Sequence, residues 1–108
     1  DESWVAEERR PLLQGAGAFW RELGGCSSVP TVCIFGYGVK TVTKVVVKRG
    51  KWGEWKETQF LQEKGGDNTI PQESAILRGA EIHPVQQYHG ALYTDNDVKM
   101  RLKLELMR

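Results

Sequence analysis

Residues 29–38, Val29-Pro30-Thr31-Val32-Cys33-Ile34-Phe35-Gly36-Tyr37-Gly38, decide how the rest of the chain is read. The run to Phe35 is apolar, β-branched and aromatic, and it stops at a glycine-rich turn. Such a run suits a strand buried on both faces in a largely parallel sheet, because a half-exposed strand would alternate apolar with polar residues. Loops that follow buried strands are frequent seats of function.

The flanking segments can be placed around that strand. Val39 to Lys48 (VKTVTKVVVK) and Glu54 to Leu61 (EWKETQFL) enclose the turn-rich RGKWG at 49–53 and predict a β-hairpin, an excursion from the sheet. Residues 64–71 form a dense turn cluster, and Gln72 to Leu77 predict a short helix with Pro71 in its first turn. AEIHPVQQ, residues 80–87, reads as extended, with Pro84 suited to an edge strand or a ragged strand end. The final segment alternates at Val98, Met100, Leu102, Leu104 and Leu106, but its Met, Arg, Leu, Lys and Glu content favours a helix, with Thr94 and Asp97 in the form of a capping box. Upstream, residues 4–23 are helical material that Pro11 is expected to divide into two short helices, with Gly24-Gly25 closing the second.

Composition bounds what this α/β chain does. At 108 residues it is one domain's worth of protein at most, and 40% apolar with 27% charged residues is ordinary for a globular sequence. A net charge of +1, with both signs interspersed, provides no long-range field for nucleic acid. No run approaches the roughly 18 to 20 apolar residues that span a bilayer. The start DESWVAEERR lacks the basic and apolar regions of a signal peptide, so any targeting segment is expected to be removed or to lie upstream. Cys26 and Cys33 are too few for a disulfide framework and lack zinc-ligand spacing. Both read as structural, and no cofactor or metal motif is present.

Two short segments carry candidate chemistry. Gly66-Asp67-Asn68-Thr69-Ile70-Pro71, taken alone, reads as a surface turn. His89, in Gln86-Gln87-Tyr88-His89-Gly90, follows a predicted strand, and His83 is a second candidate. A catalytic histidine needs a carboxylate on Nδ1 to hold its tautomer and to stabilise the imidazolium that forms. Asp67 after one strand and His89 after the next would meet that need, since neighbouring parallel strands present their C-terminal loops on one edge of the sheet.

With these residues in view, the chain resembles the C-terminal portion of the lecithin:cholesterol acyltransferase and lysosomal phospholipase A2 family of α/β-hydrolases. Pro30-Thr31-Val32-Cys33-Ile34-Phe35-Gly36 is similar to a late core strand of that family. The glycine turn with Thr41, the hairpin insertion, the Gly-Asp-x-Thr-Ile motif and a late histidine before a closing helix follow in the family's order, over roughly residues 18 to 107. The resemblance implies the late part of an α/β-hydrolase sheet with an inserted hairpin and a closing C-terminal helix, all of 1–108 belonging to one such portion. It implies Asp67 as triad acid and His89 as triad base in the order Ser, Asp, His. It also implies a secreted protein or one of the lysosomal or vacuolar lumen, acting on a phospholipid or sterol ester at a membrane or lipoprotein surface.

The chain departs from the family in two respects. Family members pair the cysteine of this strand with one just after the acid loop, where this sequence has Arg78 and its neighbours and no cysteine, leaving a local Cys26–Cys33 bond as the remaining option. No Gly-x-Ser-x-Gly nucleophile elbow occurs among Ser3, Ser27, Ser28 and Ser74. The serine is therefore expected from a region outside the sequence or from a separate N-terminal chain left by proteolytic processing, together with the lipid-binding lid.

A rival reading is a noncatalytic α/β interaction module. Its recognition element would be the hairpin tip, where Trp52 and Trp55 sit among Lys48, Arg49, Lys51 and Lys56, either as a solvated turn or as an anchor at a lipid surface.

Overall fold

The computed structural model describes residues 2–108 and is mixed α/β. A 3-10 turn at Glu7–Arg9 leads into α1 (Arg10–Leu23), followed by β1 (Val32–Gly36), β2 (Val39–Arg49) and β3 (Trp55–Gly66). Then come α2 (Gln72–Ala75), β4 (Glu81–Val85), a 3-10 segment at His89–Thr94 and α3 (Asn96–Leu106).

β1 and β4 pair in parallel, with Val32 opposite Glu81, Ile34 opposite His83 and Gly36 opposite Val85. Pro84 stands opposite Phe35 in this two-stranded sheet, where each strand is an edge and a missing N–H leaves no central ladder broken. β2 and β3 form the expected antiparallel hairpin, with Val45 opposite Phe60 and Arg49 opposite Trp55. Its base returns to the end of β1 from which it sprang, since Val39 bridges Asp67 in parallel and Gly66 bridges Pro71.

Three local expectations are corrected. Pro11 does not divide the first helical region, because the α-helix begins at Arg10 and places proline in the first turn, where no N–H is needed. α1 then runs to Leu23 and closes at Gly24, whose φ is 73°. Pro71 is the residue before α2 rather than part of it, and the helix ends at Ala75 because Ile76 is extended. α3 is capped by Asp95, whose side chain accepts from the Asp97 and Val98 amides at 2.8 and 3.3 Å. The Thr94 hydroxyl instead donates to Ala91 O at 3.0 Å.

Among the described residues, the buried apolar side chains are Phe35, Val85 and Val98. They lie on β1, β4 and α3, so the core is the parallel pair with the last helix against it. α1 buries none of its residues, and Leu12, Phe19, Trp20 and Leu23 are exposed. The radius of gyration is 18.1 Å, whereas a compact chain of this length has about 13 Å. The expected two-sided burial of β1 holds for Phe35 and Gly36, while Val32 to Ile34 are partly exposed.

One glycine is decisive for how the elements meet. A Cβ at Gly36 would collide with Asp67 Cβ and with the Gln87 carbonyl. Gly36→Ala is expected to cost about 1 to 3 kcal/mol through overpacking, read as a lower urea midpoint. Gly15→Ala, in α1 with open space at its Cβ, is expected to raise that midpoint by an amount equivalent to about 0.5 to 1 kcal/mol.

Candidate functional site

Asp67 is the first residue after β3, at the point where the hairpin rejoins the end of β1. Its backbone is fixed from both sides. Asp67 N donates to Ile70 O at 3.3 Å, and Asp67 O accepts from His89 N at 2.8 Å. Its carboxylate is divided between two tasks. Oδ1 accepts from the amides of Thr69 and Ile70 at 3.1 and 2.7 Å, while Oδ2 lies 2.9 Å from His89 Nδ1.

The turn that carries the acid needs support from further off. Asn68 has a positive φ of 84°, a conformation that asparagine tolerates better than most residues. Its amide N–H donates to Thr41 Oγ1 at 2.9 Å, and its side-chain amide donates to Lys40 O at 3.3 Å. Thr41, 1% exposed, passes the connection on by donating to Val39 O at 2.9 Å. A Cβ at Gly66 would strike Ile70 O and crowd Thr41, so the turn closes only over a bare backbone.

The histidine arrives from the other strand. After β4, Tyr37 N donates to Val85 O at 3.0 Å, and Gln87 anchors its loop to Asp95 through a 3.2 Å side-chain bond. His89 then opens the 3-10 segment. The expected pair therefore meets at the C-terminal edge of β1 and β4, by a different route from the one the sequence suggests. The strand before Asp67 belongs to the hairpin and not to the parallel sheet, and the shared edge arises because the hairpin is rooted at the end of β1.

Charge and exposure are divided unequally between the partners. The Asp67 side chain is 5% exposed and that of His89 is 54% exposed. Burial pushes the Asp67 carboxyl up, but the Ile70 amide, the His89 ring and the Thr69 amide together hold it below the ordinary aspartate value. An ionised carboxylate only accepts hydrogen bonds. When the imidazole is neutral, this contact places its proton on Nδ1 and leaves the lone pair on Nε2.

His83 lies within β4, with Nε2 3.2 Å from Asp97 Oδ1 on α3. Ser27 and Ser28 precede β1, at the end of the strand opposite the dyad, and Ser74 lies in α2. Cys26 and Cys33 are free thiols. Among the described residues, no three His, Cys, Asp or Glu side chains converge to hold a metal ion, and no helix is long and apolar enough to cross a membrane. A cleft of about 540 Å³ lies beside the dyad, lined by Lys40, Lys64, Asn68, Gln86 and Tyr88 among others.

Comparison with protein-family models, curated proteins and solved structures finds no match to this chain.

A group whose folded pKa is lowered stabilises the fold above its unfolded value, and that contribution is lost as pH falls through the folded value. Asp67 is expected to titrate below an ordinary aspartate, seen as a depressed carboxyl midpoint in a carbon-13 titration, with turn 67–70 loosening on acidification. Thr41→Val, which leaves Asn68 N and Val39 O without their hydroxyl partner, is expected to lower stability by about 1 to 3 kcal/mol. Thr41→Ser is expected to retain most of it, and urea unfolding checks both.

Proposed function

We propose that this chain supplies the acid and base of a Ser-Asp-His triad in a serine-dependent lipid acyl-ester hydrolase or acyltransferase, of phospholipase A or lecithin:cholesterol acyltransferase type. The observation that carries the reading is the 2.9 Å contact between His89 Nδ1 and Asp67 Oδ2, with the acid buried and the base exposed at one edge of a parallel strand pair. On this reading β1 and β4 are late strands of a larger α/β-hydrolase sheet, and α3 is its closing helix. A separate N-terminal chain or region of the same enzyme provides the serine, the oxyanion hole and the lid. The enzyme works in a secreted or lysosomal-type compartment, on phospholipid or sterol ester.

The chemistry follows from the geometry of the pair. The serine hydroxyl attacks the acyl carbonyl as His89 Nε2 takes its proton, and Asp67 stabilises the imidazolium across the Nδ1 contact. Collapse of the tetrahedral intermediate expels the alcohol, which takes the same proton from Nε2 and leaves an acyl-serine. Water then attacks the acyl group to complete hydrolysis, or a sterol or other alcohol attacks it to complete transfer. His89 acts as base for either acceptor.

The rival reading, a noncatalytic module, accounts for the Oδ1 bonds that close the turn but gives no task to the exposed imidazole held on Oδ2. Intact mass spectrometry of the native protein treated with a fluorophosphonate separates the two readings. The triad reading expects a serine adduct in a Gly-x-Ser-x-Gly sequence on the same or an associated chain, and native material with no labelled serine would remove it. In the assembled enzyme, His89→Ala is expected to reduce turnover at least about 10³-fold, whereas His83→Ala leaves it within about tenfold. Equal losses from both would show that His89 has no special role.

A further inference from the structure

The outer end of the β2–β3 hairpin carries a charge and an aromatic group that the dyad does not use. Residues 39–66 hold seven basic and three acidic side chains, a net +4, while the remainder of the chain is net −3 and the whole is +1. The near-neutral total thus conceals a positive arm on a negative body. At the tip, Lys48, Arg49, Lys51 and Lys56 face one acid, Glu54.

That acid is used internally. Glu54 Oε2 accepts from Trp52 N at 2.9 Å, and Glu54 Oε1 lies 3.3 Å from Lys56 Nζ. Lys48, Arg49 and Lys51 remain to give the turn its positive charge. The turn itself is ordered, closed by Gly50 N to Glu54 O at 2.6 Å and Gly53 N to Gly50 O at 3.1 Å.

This scaffold holds Trp52 outward, 86% exposed. Lys51 Nζ stands 5.7 Å from the centre of its ring, and the Arg49 guanidinium stands 4.5 Å from that of Trp55. Indole and cation therefore project together from a narrow, convex end only two strands wide. Tryptophan favours the headgroup layer of a bilayer, where its apolar ring and N–H are both accommodated. Lysine and arginine beside it keep their charges at the surface while their stems follow the ring inward. A protein partner would more often require a flat or concave patch with a packed centre, and nucleic acid would require a basic groove or stripe.

We propose that the hairpin tip docks on an anionic lipid bilayer, with Trp52 entering the headgroup layer and Lys48, Arg49 and Lys51 lying against acidic headgroups. The docking needs no serine and stands whether or not the dyad is catalytic. The hairpin is rooted at the edge that carries Asp67, and β2 has eleven residues. The tip therefore tethers that edge to the surface through an arm about 35 Å long.

Each basic residue at an anionic surface strengthens binding about fivefold. Cosedimentation of the protein with phosphatidylcholine vesicles, with and without phosphatidylserine, tests the proposal. Binding is expected with phosphatidylserine, weakening as salt is added, and little is expected with phosphatidylcholine alone. Replacing Lys48, Arg49 and Lys51 together by alanine should weaken it about 100-fold, and Trp52→Ala about tenfold. Trp20→Ala should leave it unchanged. Brominated lipid should quench the wild-type tryptophan fluorescence more than that of Trp52→Phe, and circular dichroism confirms that each variant keeps its fold. Equal binding to both vesicle types, binding insensitive to the tip substitutions, or retention by RNA with none by vesicles would overturn the proposal. Loss of vesicle binding with serine labelling intact would leave the hydrolase reading untouched.

Discussion

The Asp67 carboxylate is the constraint on which the rest of the site depends. Removing an ionised carboxylate from water is costly unless its lone pairs are met. Here Oδ1 is met by two backbone amides of its own turn and Oδ2 by the His89 ring. One group therefore shapes the loop and orients the imidazole. The main chain reinforces this, since His89 N donates to the Asp67 carbonyl. A shift of the turn would move the histidine with it, so the relative position of the two side chains survives small movements of the strands. The space for this arrangement is created by absence: Gly36 and Gly66 have no side chain where Asp67, Gln87, Ile70 and Thr41 crowd in.

Much of this was legible in the sequence where the cause is local. The run Val32 to Gly36, the hairpin on either side of RGKWG and the helix from Asn96 all follow from neighbours within a few positions. Pro11 misled because it falls in the first turn of the α-helix, where its missing N–H removes no intrahelical bond. Thr94 misled because the helix starts one residue later than its capping box requires, so Asp95 is the N-cap and accepts from the first amides. Residue type and order single out Asp67 and His89 in the sequence, and the structure brings them into contact. Their supports are not singled out so: Thr41 reaches Asn68 across 27 positions, and no pattern near either residue announces the contact. Nor did strand order predict the route, because the hairpin between β1 and Asp67 makes the acid's nearest strand in sequence a member of a different sheet.

The shortage of buried apolar surface bears on the same reading. Val45 and Phe60 face each other across the hairpin, yet both are exposed, as are the large side chains of α1. A parallel pair with helices attached is a small fraction of the sheet such strands normally belong to, since parallel sheets are covered on both faces. Under the proposed function, exposed surface of this extent is where the rest of the enzyme would pack. On that reading the same region also brings the serine, so the missing cover and the missing nucleophile have one source.

The chain contains two histidine–carboxylate pairs, and distance alone hardly separates them, at 2.9 Å for His89–Asp67 and 3.2 Å for His83–Asp97. Their environments are opposite. In the first the acid is buried and the ring is open to solvent; in the second the ring is 21% exposed and the acid 61%. A base that exchanges protons with a substrate must be reachable, while the group that orients it works best shielded, where its field is not screened by water. His83 also sits in register with Ile34 inside the strand pair, away from the loop edge. Its Nε2 faces α3, 3.2 Å from Asp97 Oδ1, beside the Arg101–Glu81 ion pair at 2.8 Å that joins β4 to α3. Under the proposed function, the division of burial within each pair, more than the presence of a carboxylate, is what favours His89 over His83 as the base.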